Sequence, residues 1–128
     1  MSQPLTPEEK KILLNLAREA LECAVHEKKL PPLDQSTLTP ALREQGASFV
    51  TLTIFGSLRG CIGALEPYQP LVDDVREHAI SAALQDYRFS PVTEGELNKI
   101  IPSGITYVDE NTVQVNFTIA YAGYATVV

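Results

Sequence analysis

Residues 47–65 read ASFVTLTIFGSLRGCIGAL, and this run decides the fold. Between Ala47 and Ile54 the residues are mostly β-branched or aromatic and suit a pleated, half-buried surface better than a helix. Gly56-Ser57 then offers a two-residue turn of type II′, because glycine accepts the positive φ required at the first turn position. The spacing predicts a hairpin with one strand over Ala47–Ile54 and its return over Leu58–Leu65. Its register sets Phe55 opposite Leu58, Ile54 opposite Arg59, Leu52 opposite Cys61 and Val50 opposite Gly63. Cys61 and Arg59 then share a face with Val50, Leu52 and Ile54.

Upstream, Thr6, Pro7 and Glu9 form a helix start in which the Thr hydroxyl caps a free N–H, Pro fills the first turn and Glu9 reaches back. Ile12, Leu13, Leu16, Ala17, Ala20, Leu21, Ala24 and Val25 recur at helical spacing, which predicts a helix from about Pro7 to Lys29. Lys28 and Lys29 would complement the carbonyl-rich end of its dipole. Pro31 and Pro32 stop the helix, and a connecting segment runs to about Gln45.

Downstream of the hairpin, Pro70 opens a second helix with Asp73 and Asp74 in its first turn. Its stripe of Val72, Val75, Ala79, Ala82 and Ala83 is small enough for close packing on the hairpin or the first helix. Asp86–Pro91 leaves in an extended turn, and Thr93 with Glu96 makes a second capping box over a single helical turn. Val113, Val115, Phe117 and Ile119 alternate with polar residues as a half-buried strand, joined to Gly104–Val108 through Asp109-Glu110-Asn111. The expected class is α+β: an antiparallel sheet with a long N-terminal helix and a second, alanine-rich helix packed on it.

The chain has 128 residues, 45% of them apolar and 20% charged, which suits one domain able to bury its own core. A formal charge of -6 repels phosphate backbones and anionic lipid, which argues against nucleic acid or a membrane surface as partner. No apolar run is long enough to span a bilayer, and Glu8, Glu9, Lys10 and Lys11 stand where a secretory signal would need an apolar core. The reading is therefore a cytoplasmic protein, with Cys23 and Cys61 as free thiols.

Few residues offer chemistry. Cys61 heads them, because a guanidinium two residues away on one strand face stabilises a thiolate, the reactive form of cysteine. Gly60 and Gly63 leave room for a ligand or another backbone to come close. The plainer reading of Cys61 is a small buried apolar group. His78 lies on the flank of the second helix, where it either faces a cleft or is solvated. Asp86, Arg88 and Phe89 form a second constellation, able to clamp a carboxylate or simply to pair and fix their own loop. Glu66, Asp73 and Asp74 supply carboxylates with no His or Cys at ligand spacing, so no metal site is expected, and phosphate-loop, dinucleotide and serine-hydrolase motifs are absent.

Leu58-Arg59-Gly60-Cys61-Ile62-Gly63 resembles the signature of the AMMECR-one domain family. The likeness continues through the alanine-rich helix to Asp86-Tyr87-Arg88-Phe89, Pro91-Val92-Thr93 and Glu96-Leu97, with Tyr87 and Ser90 standing where prolines are usual. It covers about Leu5 to Leu97 and leaves 98–128 as a divergent tail of a single domain, 1–128. The resemblance implies a cytoplasmic α+β domain with a groove near the Arg-Gly-Cys strand, and it names no reaction and no cofactor. Members of the family occur beside or fused to Memo-like and radical SAM proteins, which implies a shared pathway of modification or cofactor chemistry. The expected function is a binding or accessory module that offers Arg59, Gly60, Gly63, Asp86, Arg88 and Phe89 to such a partner or to a small ligand. The alternative is a small enzyme using Cys61 as nucleophile or redox thiol, assisted by His78 or Asp86.

Overall fold

A computed structural model describes residues 4–120, so residues 121–128 of the tail lie outside the described residues. Helix α1 spans Pro7–Val25, and its capping box forms as read: Thr6 Oγ1 accepts from the Glu9 N–H and Glu9 Oε1 from the Thr6 N–H. The helix ends at Val25 instead of Lys29. His26 is its C-cap and Glu27 takes a left-handed φ of 55°, a conformation that ends a helix before any proline is reached. Lys28 and Lys29 therefore lie beyond the helix and are not its terminal cations. A single 3-10 turn at Gln35–Thr37 and a short helix α2, Pro40–Arg43, fill the connecting segment.

Strand β1 covers Ala47–Ile54 and β2 covers Ser57–Gly63. The turn between them is Phe55-Gly56, one residue earlier than read, with φ of 49° and 79°. Two positive values make it a type I′ arrangement, whose twist matches that of the strands. Helix α3 is Leu71–Leu84, α4 is Glu94–Leu97, β3 is Ile100–Asp109 and β4 is Thr112–Ile119. The sheet order is β2-β1-β4-β3. Both hairpins are antiparallel, but the central β1–β4 pair is parallel, because the chain crosses over through α3 and α4 before it returns.

The parallel register stacks Val50 on Val115, Leu52 on Phe117 and Ile54 on Ile119, all buried. Helices α1 and α3 cover this face, and the expected stripe of Val72, Val75, Ala79, Ala82 and Ala83 is buried against it. Burial on this scale drives the fold, at about 25 cal/mol per Å² of apolar surface. Gly60 shows how tightly α3 sits: a Cβ there would stand 2.6 Å from the carbonyl oxygen of Ala82. Gly63 is closed in too, with the Phe49 ring 2.3 Å and the Ser48 carbonyl oxygen 2.5 Å from where a Cβ would be. The space beside both glycines is thus taken by this chain itself. The opposite face of the sheet carries Phe49, Thr51 and Thr53 of β1, Gln114, Asn116 and Thr118 of β4, and Cys61 of β2. Among the described residues no helix is long and apolar enough to cross a membrane.

Candidate functional site

The hairpin register differs from the one read, and the difference moves the thiol. Thr53 pairs with Leu58 but Leu52 pairs with Gly60, so Arg59 is the extra residue of a β-bulge. Past the bulge Cys61 lies opposite Thr51, not Leu52, and so on the polar face of the sheet, away from α1 and α3. A slip of one residue reverses the face of every later side chain.

Arg59 turns to α4. Its Nε and Nη2 donate to the two carboxylate oxygens of Glu96 at 2.8 and 2.9 Å, and Nη1 and Nη2 donate to the carbonyls of Ser90 and Pro91 at 2.9 and 3.3 Å. The two side chains keep only 11% and 7% of their surface exposed. Burial alone would raise the Glu96 carboxyl, but the hydrogen bonds from Arg59 and Thr93 outweigh it and hold the group below the usual carboxylate range. Glu96 also accepts from the Thr93 N–H as the capping box of α4, so one carboxylate ties the bulge to that helix. Sequence reading found the capping role and missed the pairing, which depends on where the bulge aims Arg59.

Asp86 locks the neighbouring edge. Its Oδ2 accepts from the Cys61 N–H at 2.9 Å and from Arg88 Nη2 at 2.7 Å; its Oδ1 accepts from Arg88 Nε at 2.9 Å and the Arg88 N–H at 3.2 Å. Arg88, more than the backbone donors, holds this carboxyl far below the usual range. Arg88 Nη2 also reaches the Cys61 carbonyl at 3.4 Å, and its guanidinium lies 5.5 Å from the centre of the Phe89 ring. Since β2 ends the sheet, its outward N–H and C=O would be unpaired, and Asp86 with Arg88 caps them at Cys61. The two sequence motifs are thus brought together through the Cys61 backbone and the Ser90 and Pro91 carbonyls, while Asp86 pairs with Arg88 and Arg59 with Glu96.

The Cys61 thiol points to the polar face of the sheet, within electrostatic reach of Arg88. Its Sγ is 3.1 Å from Thr51 Oγ1, which also accepts from Gln114 Nε2 at 3.2 Å, and Gln114 donates on to Asn116 Oδ1 at 2.9 Å. The structure does not bring Arg59 or His78 to the sulfur. Arg59 is held by Glu96, and His78 is on the helix-covered face, so the sheet lies between imidazole and thiol. Asp86 meets the Cys61 backbone and not its side chain.

His78 is buried, where a solvated flank or an open cleft was expected, and it is not alone. Its Nδ1 lies 3.1 Å from Asp74 Oδ2, which also accepts from Ser48 Oγ at 2.6 Å, while Asp74 Oδ1 accepts from Gln69 Nε2 at 3.0 Å. Burial pushes the Asp74 carboxyl up and the His78 imidazole down, but their hydrogen bond and mutual charge win, leaving Asp74 lowered and His78 raised. The set resembles a hydrolase triad in composition only. Ser48 gives its proton to Asp74, shares the same imidazole nitrogen at 3.4 Å and has no exposed surface, so no nucleophile faces a substrate. The expectation that no His stands at ligand spacing from Asp74 is corrected: His78 is one helical turn away. Two signals were present in the sequence. Asp74 and His78 are four apart on one helix face, and Ser48 is a polar residue at an inward position of β1.

Arg59 to Gly63 lie on a paired edge strand, and the Asp86 to Pro91 turn holds that strand through the Cys61 backbone and the Arg59 guanidinium. The family model described as AMMECR1 matches residues 14–109, three quarters of the chain and every helix and strand from α2 to β3. The chain belongs to the AMMECR1 family. A protein of Methanosarcina barkeri is 46% identical over 99 residues, covering 76% of this chain and 49% of the relative. A protein of Methanothermobacter thermautotrophicus is 43% identical over 97 residues, covering 76% and 50%. The crystal structure of the uncharacterized protein PH0010 from Pyrococcus horikoshii aligns with a TM-score of 0.59 at 32% identity, covering 76% of this chain and 51% of that one. This AMMECR1-family chain spans about half the length of the relatives it matches.

Proposed function

We propose that this chain is a binding module whose working surface is the polar face of its sheet around Cys61, Thr51, Gln114 and Asn116. One observation carries the reading: the Arg59 and Asp86 motifs are consumed in fixing the edge of β2, which leaves the thiol among hydroxyl and amide groups with no base beside it among the described residues. A surface of fixed donors and acceptors on rigid strands suits recognition, since its groups are positioned before a partner arrives. Exposed Leu58 and Ile101, on the outer strands of the same face, add apolar contact area beside the polar ladder. Arg59, Asp86 and Arg88 then serve the partner indirectly, by holding β2, and Phe89 stacks behind Arg88.

The partner class comes from the family resemblance: a Memo-like or radical SAM protein in a cytoplasmic modification or cofactor pathway. The test is capture of a purified Memo-like protein and a purified radical SAM protein on immobilised chain. Gln114→Lys places a charge in the polar ladder and lowers capture of one of them at least tenfold, whereas Glu19→Lys on the exposed side of α1 leaves it unchanged. Capture of neither protein, or equal capture by both variants, overturns the reading.

A further inference from the structure

We infer that His78 and Glu77 form a binding site for a divalent transition cation of the zinc class, with Asp74 as the buried group that positions the imidazole. This site lies at α3 and does not depend on the binding surface proposed above. The cluster offers one ligand atom from each of Asp74, Glu77 and His78, all within 4.8 Å of one another.

The imidazole is prepared for the task. Its Nδ1 faces Asp74 Oδ2 at 3.1 Å, so the neutral ring keeps its proton there and a cation that displaces the second proton meets the Nε2 lone pair. Asp74 is in turn held by Ser48 and Gln69 and has no exposed surface, while His78 is more than nine-tenths buried, so the ring cannot swing away. Among the described residues Nε2 makes no hydrogen bond. The charged group beside it is Glu77 Oε2 at 3.7 Å, too far for such a bond. That separation is near the span of a shared cation: two ligand atoms each about 2.0–2.1 Å from one metal and this far apart subtend roughly 130° at it, about 20° wider than tetrahedral, so a small approach of Glu77 completes the geometry.

The surroundings carry the complementary charge. Gln69 Nε2 donates both to Asp74 Oδ1 at 3.0 Å and to Glu77 Oε2 at 3.2 Å, and the Tyr68 hydroxyl donates to the same Glu77 oxygen, so weak donors converge on a pair of carboxylates. Glu77 and Tyr68 are about half exposed, which gives the metal an entry and lets water complete its shell. An imidazole nitrogen selects zinc, cobalt or nickel over magnesium or calcium, which prefer oxygen alone. With two protein ligands the affinity is modest.

The experiment is calorimetric titration of the full chain with Zn²⁺, supported by the visible spectrum of the Co²⁺ form. His26 Nε2 and Glu94 Oε1 make a second, exposed histidine–carboxylate pair at 3.5 Å, so the titration is repeated in His26→Asn. One Zn²⁺ per chain is expected, unaffected by His26→Asn, with Co²⁺ bands free of the charge-transfer absorption that Cys23 or Cys61 ligation would add. Glu77→Gln removes a solvent-facing ligand and lowers the affinity at least tenfold without changing the metal-free melting temperature. His78→Ala risks the fold, so Glu77→Gln decides. No saturable binding, binding lost on His26→Asn, thiolate absorption, or Glu77→Gln binding as tightly as the parent each overturns the site.

Discussion

Replacing Asp86 with Asn tests the clamp on β2 at its most constrained point. The carboxylate accepts four bonds, two on each oxygen, from the Cys61 N–H and three donors of Arg88. An amide of the same shape has one acceptor and one donor end, so whichever way it turns, two N–H donors face its NH₂. Bonds to a charged group contribute about 1.5–3 kcal/mol each in net terms; the amide oxygen turns to the Cys61 N–H in a weaker, uncharged bond, and the Arg88 donors displaced by the NH₂ return to water. The expected loss is therefore about 2–3 kcal/mol, or roughly 8–12 °C in melting temperature for a domain of this size. Urea unfolding followed by circular dichroism measures it, and amide exchange at Cys61 localises it. The sign with pH follows from the carboxyl being held low in the folded state. Its contribution is fully present above the unfolded carboxyl range near pH 4 and is lost as pH falls towards the folded value, so the gap between parent and Asp86→Asn narrows in acid. A loss under about 0.5 kcal/mol at pH 7, below the range of any buried bond, would refute the clamp. So would a gap that does not narrow between pH 7 and pH 3.

Gly60→Ala should destabilise by about 2–4 kcal/mol by unfolding calorimetry, since its methyl would stand 2.6 Å from the Ala82 carbonyl oxygen and α3 must move. Arg59→Ala strands the buried Glu96 carboxylate and should cost about 3 kcal/mol, a cost that Arg59→Ala with Glu96→Gln partly recovers in a double-mutant cycle. Phe55→Asn should raise stability by about 0.5–1 kcal/mol, because Asn tolerates the φ of 49° that Phe55 is made to adopt; a fall in the urea midpoint would count against the turn type.

The starts of α1, α4 and β1 were legible because caps and periodicity are local, whereas α1 stops four residues before Lys29 and β3 begins at Ile100, four residues before Gly104. Thr6 with Glu9 and Thr93 with Glu96 both form their boxes, and the Ala47–Ile54 strand stands as read. The face of Cys61 was not legible. It depends on Phe55 accepting a left-handed conformation and on Arg59 bulging out, and a period-two pattern carries neither. The parallel β1–β4 pair was hidden for a different reason: nothing in either strand names its neighbour, and both alternate equally well beside an antiparallel partner. His78 was visible as a residue but not as a buried one, because the polar Ser48 that receives it lies thirty positions away on another element.

The parallel pairing also sets an order of assembly. Strand β1 leaves the ribosome long before β4, and until Thr112–Ile119 has been synthesised one whole edge of β1 has no backbone to bond, although β2 and α3 are already available to it. Contacts this distant in sequence are closed slowly, since the entropy of the intervening loop must be overcome first. The nascent chain therefore passes through a stage with an open strand of Val, Leu and Ile, when a chaperone or a neighbouring copy can bind where β4 belongs.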